Sequence, residues 1–387
     1  MANPKKKIVK NVLGEKSLAL HKKLGGKIRI EPAMLPKDRA TLSLMYTPGV
    51  GAVSMAIAKN PKLARELTMK GRMVAVISDG SAVLGLGNIG ALGALPVMEG
   101  KCAIFKSFAD VDAVPIVLDT QDTEKIIETI CMIAPAFGGI NLEDFSAPRC
   151  FEIEEKLKAR LSIPVMHDDQ HGTAIVVLAG LINSAKVVGK ELKKLHIVIV
   201  GAGAAGTAIA KLLLKAGIRD VVVLDRVGII GREREGLPPH KQWLAENTNP
   251  RRAVGGTAEA LAGADVVVGV SEPNILKAED IALMNTKAIV FALANPTPEI
   301  MPDIARKGGA FIVATGRSDF PNQINNALVF PGVFRGALDN RIKSITDPMK
   351  LRTAEALASL VKKPSTDQII PDIFDPRVSK TIATVIK

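Results

Sequence analysis

Apolar positions along the chain follow two regimes, and the change between them divides the molecule. Residues 73–78 (MVAVIS) and 114–118 (VPIVL) are short, β-branched runs bounded by Gly, Asp or Pro. Runs of this kind read as strands buried on both faces of a parallel sheet. Residues 123–134 and 150–161 instead carry apolar side chains at helical spacing, the second segment ending before Ser162-Ile163-Pro164. From Gly172 the pattern becomes a regular alternation. Residues 173–186 and 203–216 read as helices, and 196–200, 221–224, 266–270, 288–292 and 311–314 as strands. The alternation predicts an α/β fold with a doubly wound parallel sheet. Pro164 and Gly172 interrupt the periodicity, so residues 1–165 are expected to form one α/β domain and 166–387 a second. A chain of 387 residues is also longer than one hydrophobic core usually supports.

Composition narrows the function classes. The chain is 47% hydrophobic and 23% charged, ordinary for a packed globular protein. No uninterrupted apolar run reaches the ~18 residues of a bilayer span. The basic opening MANPKKKIVK leads into no secretory h-region, so a cytoplasmic, membrane-free protein is expected. The net charge of +12 is dispersed, with one short run at residues 5–7, and aromatics are only 3%. A nucleic-acid binder concentrates its cations and supplies rings for base stacking. Nucleic acid is therefore not expected as a partner; the surplus charge suits anionic small molecules. Cys102, Cys131 and Cys150 form no CxxC pair and read as reduced, mostly buried thiols.

GxGxxG occurs twice, at residues 85–90 (GLGNIG) and 201–206 (GAGAAG). Only the second directly follows a strand, opens an Ala/Leu-rich helix, and is followed about 20 positions later by an acidic strand end, Asp225. In this context Gly201 permits the tight turn, and Gly203 lets backbone N–H groups approach a pyrophosphate. Gly206 lets helix pack on strand, and the helix start through Ala204 and Ala205 supplies partial positive charge. Residues 166–387 therefore read as a Rossmann-type dinucleotide-binding domain. Asp225 favours NAD, because a carboxylate repels a 2′-phosphate; Arg226 beside it would accommodate NADP. The first copy reads as a loop lining a substrate cleft.

Glu143-Asp144 and Asp168-Asp169 lie near the domain junction, with no thiolate nearby. Convergent carboxylates suit a hard cation, Mg2+ or Mn2+. His167 and His171 have the spacing of a zinc helix, but the Glu of HExxH is missing, and Gly172-Thr173 reads as a helix start. Tyr46 is the only tyrosine, beside a Pro-Gly turn; on its own it reads as a capped core residue. Lys101, one of many lysines, reads on its own as a surface residue.

Taken in order, these segments resemble the malic enzyme family. The matching stretches are residues 46–51 (YTPGVG), 78–90 (SDGSAVLGLGNIG), 96–101 (PVMEGK) and 141–145 (NLEDF). They continue with 167–173 (HDDQHGT), 201–206, 294–297 (ANPT) and 325–336 (NNALVFPGVFRG). The resemblance spans nearly the whole chain and matches the short prokaryotic form. It implies oxidative decarboxylation of L-malate to pyruvate and CO2 with reduction of NAD(P), dependence on Mg2+ or Mn2+, activity on oxaloacetate, and a homodimer. By motif, it makes Lys101 the general base and Tyr46 the general acid. Glu143, Asp144 and Asp169 become metal ligands, with Asp168 in support. Asn295 and Asn325 or Asn326 fall where substrate or the nicotinamide end of the cofactor is contacted. The chain departs from the eukaryotic pattern at Ala82, where those members carry an arginine that pairs with a malate carboxylate. For Lys101 to act as a base, its ordinary pKa of ~10.4 must fall, and burial beside a cation is expected to lower it.

Overall fold

The computed structural model describes residues 12–83 and 85–387; the basic run at residues 5–7, and Leu84 of the first glycine motif, lie outside the described residues. By compactness the chain forms two units, Met1–Ser54 and Met55–Lys387. In the first, helices Val12–Leu24 and Arg39–Met45 are described. The second helix starts where the Asp38 carboxylate accepts the Thr41 N–H at 2.7 Å. It ends at Tyr46, whose N–H donates to Leu42 O at 2.9 Å. Tyr46 is not a core residue: it is 65% exposed.

The larger unit contains two sheets. The first orders its strands β2-β1-β3-β4, all parallel, with β1 Met73–Ser78, β2 Asp112–Val117, β3 Gly139–Leu142 and β4 Val165–His167. Five of the six β1 positions are buried, as its continuous apolar run predicts. Helices Gly90–Ala109, Thr123–Ile133 and Arg149–Arg160 connect the strands. The Asp122 carboxylate caps the second of these by accepting the Lys125 N–H at 3.1 Å.

The second sheet runs β10-β9-β8-β5-β6-β7. Its strands are β5 Ile197–Val200, β6 Val221–Asp225, β7 Gly228–Ile229, β8 Val266–Gly269, β9 Ala288–Ala292 and β10 Ala310–Thr315. All pairings are parallel except the short β6–β7 edge. Side chains alternate between the two faces. Val198, Val200, Val222 and Leu224 join a buried cluster with Leu261, Ile281 and Ala305, from three short helices. On the opposite face, Phe291 approaches Gly180 of helix Asp168–Val188 closely, and Ile199 approaches Gly206 of helix Ala204–Lys215. The sheet is doubly wound. Its strand order reverses between β5 and β8, the switch point where such sheets bind ligands.

The start of one predicted helix needs correction. The helix expected at residues 173–186 begins at Asp168, directly after β4, so Gly172 lies inside it. A Cβ at Gly172 would fall within contact of the Asp168 carboxylate; the glycine makes room for that side chain rather than starting the helix. Further, Arg39–Lys59 and Asp168–Val188 are each long and apolar enough to cross a membrane. The latter is a core helix, 72% buried in its most apolar stretch, and the former is two helices, Arg39–Met45 and Val50–Lys59.

Candidate active site

The acidic residues emerge at the C-terminal edge of the first sheet. Glu143 follows β3 and Asp168 follows β4, so adjacent parallel strands deliver both motifs to one place. Asp144 adopts a left-handed φ of 57°, which turns the chain back on itself there. Its N–H donates to Asp169 Oδ2 at 2.8 Å. Glu143, Asp144 and Asp169 offer carboxylate oxygens that all lie within 4.8 Å of one another. Three oxygen donors, two of them buried, fit a hard divalent cation and suit zinc poorly. Neither His167 nor His171 belongs to this cluster: His167 Nε2 lies 3.4 Å from Asp169 Oδ2, and His171 Nε2 lies 2.9 Å from Glu154 Oε2.

Lys101 is not a surface residue. It is 8% exposed on helix Gly90–Ala109, and its Nζ pairs with Asp168 Oδ2 and, at 2.7 Å, with Glu143 Oε1. The Phe330 ring lies beneath the ammonium, 4.4 Å to its centroid. Phe330 in turn packs on Phe105 at 4.6 Å between ring centroids, with Phe334 5.5 Å from Phe105. Burying aromatic rings stabilises by roughly 1.5–3 kcal/mol each, so this stack fixes the lysine's helix against Phe330–Asp339.

Among the protein groups alone, Lys101 does not have the lowered pKa that a base needs. Burial does push the ammonium down, but the carboxylates of Asp168, Glu143 and Asp169 outweigh it and hold the group above its ordinary value. Burial and the neighbouring Asp169 carboxylate drive Glu143 upward, against the pull of Lys101. Burial pushes Asp168 up to about 6 despite Lys101 beside it, and its Oδ1 is buried without a hydrogen-bond partner. A cluster with one lysine and four acids carries excess negative charge, which a divalent cation would offset. That offset would bring Lys101 toward the neutral form a base needs.

One glutamate missed by the sequence reading supports these groups. Glu154 is 5% exposed, and its carboxylate accepts the His167 N–H at 2.9 Å, Lys158 Nζ at 2.8 Å and His171 Nε2. Burial would raise its pKa, yet His171 and Lys158 hold it well below the usual range. Burial takes His171 down to about 4, so the histidine is a neutral donor at pH 7.

The first glycine motif links the acids to the second sheet. Ala82 N–H donates to Asp144 O at 2.9 Å. Gly85, at φ 72°, lies so close to Asn295 O that no side chain fits. Asn295 adjoins Gly316, whose carbonyl accepts Asn325 Nδ2 at 3.4 Å. Asn325 Oδ1 also accepts the Ala327 N–H at 2.9 Å, which leaves its amide engaged by backbone at both ends. Asn326 instead packs beside Gly172, next to Asp168. Glu299, also missed, is fully buried and accepts N–H groups from Ser271 at 2.7 Å and Ala294 at 3.0 Å, tying the ends of β8 and β9 together.

At the switch point, Gly201 has φ 122°, and a Cβ there would stand 2.5 Å from Val270 O. Gly203 precedes the helix that starts with Ala204 and Ala205, whose first N–H groups lack intrahelical partners. A Cβ on Gly206 would clash with Gly201 O. Close backbone and free N–H groups at a helix start are features that fit a pyrophosphate. Asp225 ends β6 as predicted, but it is not a free carboxylate. It accepts Arg234 Nη1 at 2.8 Å, Arg234 Nη2 at 3.1 Å and Lys241 Nζ at 2.6 Å, and is held well below the usual carboxylate range. Arg226 is exposed beside it. Tyr46 belongs to the N-terminal unit.

Comparison with known proteins agrees with this geometry. Residues 26–158 match the family described as malic enzyme, N-terminal domain, and residues 170–387 the malic enzyme NAD binding domain. A NAD-dependent malic enzyme of Geobacillus stearothermophilus is 52% identical over 376 residues, covering 97% of this chain and 78% of that protein. A NADP-dependent malic enzyme of Halomonas elongata is 44% identical over 387 residues, covering 94% of this chain and 90% of that protein. The crystal structure of a NAD-dependent malic enzyme from Thermotoga maritima superposes with a TM-score of 0.93 at 49% identity, covering 96% and 98% of the two chains. Both halves match in order, over nearly the full length and at about half identity: the chain belongs to the malic enzyme family.

Proposed function

We propose that the protein oxidatively decarboxylates L-malate to pyruvate and CO2 with reduction of NAD(P), and that it also decarboxylates oxaloacetate. The observation that carries this reading is Lys101, buried against Asp168 and Glu143 beside the Glu143, Asp144 and Asp169 oxygens. A bound dinucleotide would supply the hydride acceptor, and Mg2+ or Mn2+ would supply Lewis-acid stabilisation of negative charge on the substrate. Glu143, Asp144 and Asp169 would hold the cation. Lys101 Nζ removes the C2 hydroxyl proton, with Asp168 orienting the amine. After CO2 leaves, Tyr46 gives one proton to C3, and the proton that Lys101 took from the C2 hydroxyl restores the phenol. Each acid–base role contributes ~10²–10⁴ in rate. Asn295 and Asn326 position substrate or nicotinamide, with Asn325 bracing the loop. Residues 1–165 supply Lys101, Glu143 and Asp144 to the substrate side, joined there by Asp168 and Asp169, and residues 166–387 hold the dinucleotide through Gly201, Gly203, Ala204, Ala205 and Gly206.

NAD is the proposed cofactor, and a specific observation favours NADP as well. Arg234 and Lys241 neutralise Asp225, and Arg226 lies beside it, so repulsion of a 2′-phosphate is weakened. The test of the reaction is chelation. EDTA should abolish malate-dependent NADH and pyruvate formation, and excess Mn2+ or Mg2+ should restore both; turnover unaffected by EDTA contradicts the reading.

A cytoplasmic homodimer is proposed in addition. In the N-terminal unit Leu42, Leu44 and Met45 leave apolar surface exposed, as interface residues do before association. Light scattering should give twice the monomer mass; a fully active monomer contradicts it.

A further inference from the structure

A cavity of about 840 Å³ lies away from the proposed reaction site, between helix Arg149–Arg160, the far half of helix Ala204–Lys215 and the start of helix Asp347–Ser359. None of Lys101, Glu143, Asp169, residues 201–206 or Asp225 lines it, so it is neither the acid cluster nor the pyrophosphate cradle. Its volume falls in the range of small-molecule sites.

The wall is cationic. Lys158, Lys211, Lys215, Arg219 and Lys350 face three acids, Glu154, Glu155 and Asp347. Glu154 pairs with Lys158, and Asp347 with Lys350 at 3.1 Å. Lys211, Lys215 and Arg219 form no ion pair among the described residues. Lys350 is 7% exposed, and burial together with Lys158 nearby holds its pKa below the ordinary value. Gln170 is 5% exposed on the same wall, and its Nε2 has no hydrogen-bond partner. A buried amide donor without an acceptor is costly and calls for one. Trp243 adds a ring face, with Lys211 Nζ 5.0 Å from its centroid.

We propose that this cavity binds a phosphate-bearing polyanion of up to nucleotide size, held by Lys211, Lys215 and Arg219, with Gln170 donating to it. Arg219 supplies the planar fork that matches phosphate oxygens, and the lysines supply point charges. The indole gives a surface on which a base could stack.

Trp243 is the only tryptophan in the chain, so its emission reports directly on this wall. Inorganic tripolyphosphate is titrated into the full-length protein saturated with NAD, which keeps phosphates out of the dinucleotide site. The expected result is a saturable one-site change in Trp243 emission, with the same Kd by calorimetry. Lys215→Ala and Arg219→Ala, both at exposed positions that spare the fold, should each weaken that Kd at least about tenfold. ATP binding more tightly than tripolyphosphate would identify a nucleotide as the source of the phosphates, and equal affinities a simpler phosphate ester or polyphosphate. No saturable binding, or binding that neither variant weakens, overturns the proposal.

Discussion

Lys101→Ala is expected to lower kcat for malate oxidation by at least about a hundredfold, with little change in dinucleotide affinity. The amine is the only base held against both Asp168 and Glu143, and no other lysine pairs with either carboxylate among the described residues. The substitution also removes the positive charge that offsets the buried acids. A turnover assay alone would not separate loss of chemistry from loss of structure, so NADH binding by fluorescence accompanies it. Unchanged affinity with collapsed kcat fits the base. Near-normal turnover removes Lys101 from the mechanism, and lost NADH binding would assign it a structural role instead.

Glu154→Ala is expected to destabilise the fold by about 3 kcal/mol, because removing one partner of a buried ionic network leaves the others uncompensated. The Glu154 carboxylate is the shared acceptor of His167 N–H, His171 and Lys158. Without it a backbone donor at the end of β4 loses its partner, immediately before Asp168 and Asp169. Thermal or urea unfolding measures the loss. A variant as stable as the parent would show that water replaces the carboxylate without penalty.

The second sheet was legible because its signals are local. A strand, three glycines and an acidic strand end lie within one stretch of sequence, and each glycine answers to a nearby backbone atom: Gly201 to Val270 O, Gly206 to Gly201 O. The acid cluster was legible as pairs of carboxylates, though only the parallel pairing of β3 with β4 brings the pairs together. What escaped depends on particular side-chain contacts that no periodicity or motif displays. Gly172 resembled a helix start, since the demand on it comes from the Asp168 side chain above it in the helix. Glu154 sits in a charge-rich helix where most acids face water, and nothing local distinguishes it from Glu152 or Glu155. Lys101 read as one lysine among many until the sheet edge placed carboxylates around it. The neutralisation of Asp225 by Arg234 and Lys241 was hidden for the same reason, and it weakens the preference for NAD over NADP that the carboxylate alone suggested.

Product stoichiometry tests the central claim most directly. The protein is incubated with L-malate, NAD and Mn2+, and NADH, pyruvate and oxaloacetate are measured in the same sample. A base and a cation site acting on one bound substrate predict one pyruvate for each NADH, with no build-up of oxaloacetate. NADH accumulating with oxaloacetate and without pyruvate would contradict the account.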